Sequence, residues 1–439
     1  MDNRNKIYAE TLSKLIQVET ISELGQADKS KFLTFHGVLK ETFPNIFGVT
    51  QYEEHDGSFI LIWKGKDSCL EPIILMNHHD VVEASGSWEH NAFSGDIADG
   101  KVWGRGTLDT KGGLWAMLQA ADELAKEGIV PNRDIYFLST CTEETDGSGG
   151  AYLAQLLKDR GLHFHMVLDE GGMILHDPIG GADGTFAMAG VGEKGCADLK
   201  FIARSTGGHA STPGKNTPIA RLAKFVAEAE KSNIFKAEVS PTIKEMLKRF
   251  SPTMTGVMKL ACGNPGLFSK ILCTVMPALS PTAGAMLKTT VAFTMCKGSD
   301  GTNVLPQEAW VIGNMRYSHH QGRDNSIKAI SDLAAKYDIE TEIMDKGVES
   351  TVTDYNGEPF KFIEKAVTAI FPEVITVPYI MAGASDSRYF SIVSDSCIRF
   401  LPFVISDEQL DSIHGLNENV DIAALSDAVD FYRYVITQI

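Results

Sequence analysis

An α/β architecture, with a mostly parallel, doubly wound sheet interrupted by an inserted α+β unit, follows from three features of this 439-residue sequence. Apolar strands alternate with amphipathic helices from about residue 58, the pattern of a parallel sheet covered on both faces. After about residue 190 the strands alternate apolar and polar residues in period two, the mark of antiparallel sheet with one wet face. From Pro359 the first pattern resumes. The length also exceeds the roughly 250–300 residues that one core usually supports. The chain therefore divides into 1–189, 190–350 and 351–439, the first and last segments forming one discontinuous domain.

The N-terminal MDNRNKIYAETLSKLIQ reads as an amphipathic helix. Residues 58–63 and 72–77 are apolar strands, followed by a loop from Val82 to Thr110 rich in Gly, Asp and Ser. From 111 to 128, Leu114, Met117, Leu118, Ala121, Leu124 and Ala125 fall at helical spacing, closed by Gly128 and Pro131. A strand at 134–141, a helix at 148–160 and a strand at 164–168 complete the first pattern. In the second unit, CADLKFIAR (196–204) and EAWVIGNMR (308–316) alternate in period two. Helices are expected at 218–230 and 326–337, with a strand at 339–344. The stretch 241–287 is helix and loop. Further helices are expected at 360–370 and 422–437.

Composition excludes several classes. Forty basic against 57 acidic residues give a net charge of −17, the wrong sign for a phosphate-neutralising nucleic-acid binder. The seven cysteines (Cys69, Cys141, Cys196, Cys262, Cys273, Cys296 and Cys397) are odd in number and include no CxxC pair. That argues against a disulfide framework and a thiolate zinc site. No apolar signal segment opens the chain, and no apolar run approaches the ~18 residues of a spanning helix. The expectation is a cytoplasmic protein with neither nucleic-acid nor membrane partners.

The chemistry-bearing residues sit where strands end. The 72–77 strand runs into His78-His79-Asp80, the 134–141 strand into Thr142-Glu143-Glu144, and the 164–168 strand into Asp169-Glu170-Gly171-Gly172. Open parallel sheets bind ligands beyond the carboxyl ends of their strands. The glycine-hinged loop Gly104-Arg105-Gly106-Thr107-Leu108-Asp109 adds one more carboxylate. Each cluster alone would pass for a cap or a solvated surface, but four at one predicted edge form a convergent site. Carboxylates gathered together repel and need a cation to share. His with Asp and Glu, and no Cys, is a ligand set for hydrolytic zinc or a similar divalent ion.

HHDVV (78–82), GRGTLDTKGG (104–113), EETDGSGG (143–150), DEGG (169–172) and IHGLNE (413–418) together resemble the M20 metallopeptidase family, in order along nearly the whole chain. The resemblance implies two zinc ions per chain, or Co or Mn in their place. His78 and Glu170 would hold the first, Glu144 and His414 the second, and Asp109 would bridge both. The HxD spacing selects His78 over His79 and makes Asp80 the carboxylate that orients it; Asp169 competes with Glu170 as ligand. Glu143 would be the general base. In the inserted unit, the family's lid and dimerisation domain, GGHASTP (207–213) resembles the segment whose His, here His209, stabilises the oxyanion in a neighbouring subunit. Asn303 and Arg316 match lid residues that hold the substrate's carbonyl and carboxylate, and GASDSR (383–388) resembles a glycine-rich loop in which Gly383 and Arg388 serve the carboxylate. The implied assembly is a homodimer through the lid, unless the long insertion between about 232 and 295 substitutes for the partner.

That insertion and GVGEKG (190–195) are similar to the branch of carboxypeptidase S and N-acyl-amino-acid hydrolases. The implied reaction is zinc-dependent hydrolysis of an amide in a dipeptide or short peptide with a free carboxylate, or alternatively of an N-acyl-amino acid. A metal- or ligand-binding protein without catalysis is the contrary reading; Glu143 weighs against it, since metals could bind without that residue. GVGEKG also matches G-x-G-x-x-G, but a period-two strand follows where a dinucleotide site needs a helix, so it reads as the inter-domain hinge. His319-His320 read as a solvated loop.

Overall fold

The computed structural model describes residues 3–279 and 281–439. A ten-stranded mixed sheet organises it, in the order Gln51–His55, Ser58–Trp63, Ile135–Thr140, Ile73–His78, Met166–Asp169, Cys397–Arg399, Thr185–Glu193, Ile174–His176 and Val404–Ile405, with Ile375–Met381 alongside Thr185–Glu193. The four strands from Ile135–Thr140 to Cys397–Arg399 run parallel, while Gln51–His55 and Ser58–Trp63 join antiparallel at the edge. Every residue of Ser58–Trp63, Ile73–His78 and Ile135–Thr140 is buried. Such continuous apolar runs form when helices cover both faces.

On one face lie helices Asn3–Ile16, Ser30–Thr42, Lys111–Lys126, Glu358–Ile370 and Ile422–Gln438, whose apolar stripes share one core around the fully buried Trp115, Phe137 and Phe431. On the other, Ser148–Asp159 packs Leu153, Ala154 and Leu157 against Ile60, Ile74 and Leu138. The two ends of the chain meet on the first of these faces: Arg4 forks onto Asp430, with contacts of 2.9 and 2.6 Å. Among the described residues no helix is long and apolar enough to cross a membrane.

Between Gly195 and Asp345 the chain builds a second, four-stranded antiparallel sheet in the order Thr290–Lys297, Glu308–Tyr317, Gly195–Arg204 and Glu340–Asp345. Glu308–Tyr317 alternates buried and half-exposed positions, as its period-two sequence requires. Helices Pro218–Lys231 and Arg323–Ala335 cover the buried face. GVGEKG opens no helix: Thr185–Glu193 passes through the single residue Lys194 into Gly195–Arg204. His319 and His320, expected as solvated, each meet a backbone carbonyl, of Ser350 at 3.2 Å and Lys236 at 2.9 Å.

The helices of 241–287 depart from a simple inserted unit. Ile243, Met246, Leu247 and Phe250 pack not on the second sheet but on Phe186, Met188 and Val377 of the central one. The Phe186 and Phe250 rings meet edge to face, 4.8 Å apart. Helix Pro241–Phe250 is apolar along one stripe, and the uncovered far strands of the central sheet give that stripe somewhere to bury.

Just beyond the Met166–Asp169 strand, a Cβ on Gly172 would stand 1.8 Å from the Met188 carbonyl oxygen. Two backbones touch there, beneath the acidic cluster. Gly172→Ala is expected to cost about 1–3 kcal/mol, as overpacking does. Gly180→Ala, with nothing within 4 Å, is expected to stay within about 0.5 kcal/mol. Urea midpoints at unchanged slope check both.

Candidate active site

Parallel register brings the strand ends together: His78 lies opposite Thr140, so 78–80 and 141–144 emerge side by side. His78 Nε2 is 3.0 Å from Asp109 Oδ1, while its Nδ1 meets the Asp80 main-chain carbonyl at 2.9 Å. The other Asp109 oxygen lies 3.0 Å from His414 Nε2, which is also 3.0 Å from Glu144 Oε2. One carboxylate thus stands between two imidazoles that arrive from opposite ends of the chain. The adjacent His79 turns into the core, stacking on Phe35 and pairing Nδ1 with the Ser139 hydroxyl at 2.8 Å. Burial drives its pKa well below the ordinary value.

Asp80 is fully buried. It accepts hydrogen bonds from the Ser22 hydroxyl at 2.7 Å and from the Glu143 and Glu144 backbone N–H groups at 3.3 and 3.1 Å. Its Oδ1 lies 3.4 Å from His78 Nδ1. It therefore fixes the turn that carries both glutamates.

Charge balance at this edge is unfavourable to bare carboxylates. Burial pushes the Glu143 carboxyl well above its ordinary pKa; Asp386, Glu144 and Asp109 add to that, and His78 opposes it. Burial also raises Glu170, reinforced by Asp169 and Glu143. Burial alone would lower His78, but Asp109 and Asp80 lift it well above its usual value, and Asp109 and Glu144 raise His414 to about 10. The geometry separates the two adjacent acids at 169–170. Asp169 accepts the Glu170 and Ser387 backbone N–H groups at 2.9 and 2.8 Å, whereas Glu170 lines the cavity.

That cavity, of about 880 Å³, runs from Asp109, Glu143, Glu144, Glu170 and His414 to the second sheet. Arg316, Gly383 and Arg388 line it. Arg388 Nη1 is 3.9 Å from Glu143 Oε1, and Arg316 Nε donates to Asn314 Oδ1 at 3.1 Å. His209 and Asn303 lie elsewhere, outside the cavity lining. Exposed His209 pairs in a short ladder with Val304, its Nδ1 2.6 Å from the Ser211 hydroxyl, and the Asn303 carbonyl accepts from Ala210 N–H at 2.9 Å. The two are neighbours on the surface of the inserted unit.

The family model for Peptidase family M20/M25/M40 matches residues 74–438. The chain belongs to this family. It is 31% identical to a probable carboxypeptidase S-like 2 of Dictyostelium discoideum, over 98% of this chain and 84% of the relative. It is 30% identical to the human N-fatty-acyl-amino acid synthase/hydrolase PM20D1, over 96% of this chain and 86% of the relative. The fold superposes on the M20 metallo-carboxypeptidase Sso-CP2 of Sulfolobus solfataricus with a TM-score of 0.71, at 17% identity and 99% coverage of both chains. This chain is thus an M20 metallopeptidase or amidohydrolase, and its residues fit a metal. His78, Asp109 and Glu144 offer ligand atoms all within 4.8 Å of one another, and Glu144 Oε1 is buried with no hydrogen-bond partner.

Two residues that sequence reasoning left without a role hold this M20 site in shape. Glu418 is fully buried and accepts from Arg105 Nη1 at 2.8 Å and from the backbone N–H groups of Gly106, Leu108 and Asp109 at 3.0, 2.8 and 3.1 Å. Arg105 also donates to the Gly415 carbonyl at 2.7 Å. One ion pair thereby ties the loop of Asp109 to that of His414. The partners stand 313 positions apart, and no local pattern signals such a pairing. Lys194, in the cavity wall, was likewise passed over; its ammonium donates to the Ala285 and Lys288 carbonyls and the Thr290 hydroxyl at 2.9–3.0 Å, and burial lowers its pKa to about 7.

Removing one partner of a buried pair strands the other, so Glu418→Ala is expected to cost about 3–5 kcal/mol and to lower bound metal. Lys328→Ala breaks an exposed pair with Asp332 and is expected to cost no more than about 0.5 kcal/mol. Urea unfolding and metal analysis of the two variants check this.

Proposed function

We propose that this M20 protein hydrolyses the amide bond of a dipeptide or short peptide that carries a free carboxylate, with two zinc ions resident and Co or Mn able to replace them. The observation that carries the reading is the position of Glu143: its carboxyl faces the cavity with the His78–Asp109–Glu144 cluster on one side and Arg388 on the other. His78, Asp109 and Glu170 would hold one ion, and Asp109, Glu144 and His414 the other. Bound there, the ions would supply Lewis acidity to the scissile carbonyl and lower the pKa of a water.

The chain's own residues do the rest. Glu143 takes the water's proton on its carboxylate and returns it to the leaving amine; burial raises its pKa well above the ordinary carboxylate value, which makes it a stronger base than an exposed glutamate. Asp80 keeps the His78 ring aimed at Asp109. Arg316 and Arg388, with the backbone around Gly383, bind the substrate carboxylate; a guanidinium offers the planar fork that a carboxylate fits. His209 and Asn303 serve the active site of a second copy, with 190–350 acting as a lid through which a homodimer forms. Their joint exposure on one surface supports that arrangement. In it His209 stabilises the oxyanion and Asn303 holds the substrate carbonyl.

A second reading, hydrolysis of N-acyl-amino acids, is favoured by the resemblance to the human fatty-acyl-amino acid enzyme and by apolar cavity-lining residues, Leu108, Met173, Val348, Met381, Leu401 and Ile413. Both readings share the carboxylate clamp and differ in what fills the rest of the cavity. The free thiols of all seven cysteines support a reducing, cytoplasmic setting.

On metal-loaded protein, dipeptides and N-acyl-amino acids are to be assayed side by side with a chelator. Chelator-sensitive turnover of either series, restored by zinc, is expected; turnover indifferent to chelator would refute the mechanism. Glu143→Ala is expected to keep its metal and lose about 10²–10⁴-fold in kcat, as metal analysis beside steady-state kinetics will show. His209→Ala should also lose turnover with metal intact. Mixing it with Glu143→Ala protein should restore part of that turnover through mixed dimers; no recovery despite subunit exchange would count against a shared site.

A further inference from the structure

The negative charge is not spread evenly. From Met246 to Ser299 the sequence contains no Asp or Glu, while Lys248, Arg249, Lys259, Lys270, Lys288 and Lys297 all fall within it, in a chain of net charge −17. Arg249 is spent on Glu245 and Glu364. Lys248, Lys259 and Lys270 are exposed, and among the described residues none forms an ion pair.

The same stretch exposes large apolar side chains. Helices Gly256–Gly263 and Ser269–Leu279 follow one another across a short turn, and their inner residues, Ala261, Cys262, Leu272 and Met276, join the cluster around Phe250. Their outer faces carry Val257 and Leu260, spaced i and i+3, and Ile271 and Val275, spaced i and i+4. Leu267 stands at the turn between them, 82% exposed, and Val257 is 79% exposed. Exposed apolar groups clustered in this way mark an interaction site.

We propose that the two-helix segment 256–279 is a docking surface for anionic phospholipid bilayers. Apolar side chains flanked by lysines, without a single acid, are the composition of helices that lie in a membrane interface. Charge complementarity selects the occupant: an anionic leaflet repels the chain's net negative charge and attracts this acid-free segment. The chain runs from this segment to the active-site wall, where the Lys194 ammonium is held by the Ala285 and Lys288 carbonyls just beyond it. Docking there brings the cavity to the bilayer, where an amphiphilic substrate would reside; that last link rests on the N-acyl-amino acid reading, while the docking itself does not.

The test is co-sedimentation of the full-length protein with phosphatidylcholine vesicles with and without phosphatidylserine. The expected result is binding to phosphatidylserine-containing vesicles that falls with added salt, and little binding to phosphatidylcholine alone. Lys259→Gln and Lys270→Gln should each weaken partitioning about fivefold, and Leu267→Asp with Ile271→Asp should abolish it. These side chains touch neither the core nor the cavity, so circular dichroism and the turnover of a short soluble substrate should not change. Absence of binding to the anionic vesicles, or binding that these variants leave intact, overturns the proposal. So does a dimer in solution that Leu267→Asp dissociates, which would make the segment a contact between copies. Vesicle binding is read without turnover, so failure of the proposed chemistry and failure of docking are separable.

Discussion

Mutual repulsion among buried carboxylates is the constraint around which this molecule is arranged. Glu143, Glu144 and Glu170 converge on one cavity because the parallel strands before them end at the same edge, and the loop held by Glu418 brings Asp109 to it. Parallel register makes that convergence unavoidable: whatever follows each strand is delivered to one side. The cost of gathering acids appears in the raised pKa values of Glu143, Glu144 and Glu170, all led by burial. A site built this way favours cations, and the two imidazoles on Asp109 answer part of that demand.

Holding such a cluster requires fasteners that the reaction itself does not use. Asp80 draws the Glu143–Glu144 turn onto the His78 strand through backbone N–H groups, and Glu418 does the same for the Asp109 loop. Both carboxylates are fully buried, and each accepts several hydrogen bonds, which is the condition for tolerating a buried acid. Rigidity at the reacting groups therefore comes from acids that stand behind them.

The elements with long periodic patterns were legible from residues alone. The Lys111–Lys126 helix, the Ile135–Thr140 strand and the alternating Glu308–Tyr317 strand lie within a few residues of their expected bounds. The clusters at strand ends pointed to the right edge because the topology follows from the alternation of elements. The partners of the 241–287 helices were not legible: an apolar stripe announces that it will be buried, and says nothing about which sheet will bury it. Whole-chain charge is silent about distribution in a similar way, since a net −17 conceals a long segment without acids.

Sequence by itself determined the layered α/β class, the membership in a metallopeptidase family and the identity of the acids and histidines gathered at one edge, because these rest on local periodicity and short motifs. Tertiary structure alone decided that His79 faces Phe35 while His78 faces Asp109, that Asp169 is consumed by backbone N–H groups while Glu170 opens to the cavity, and that Glu418 reaches across the chain to Arg105. Adjacent residues in an extended chain point to opposite faces, and a buried charge finds its partner through space. Neither fact is written in any short stretch of sequence.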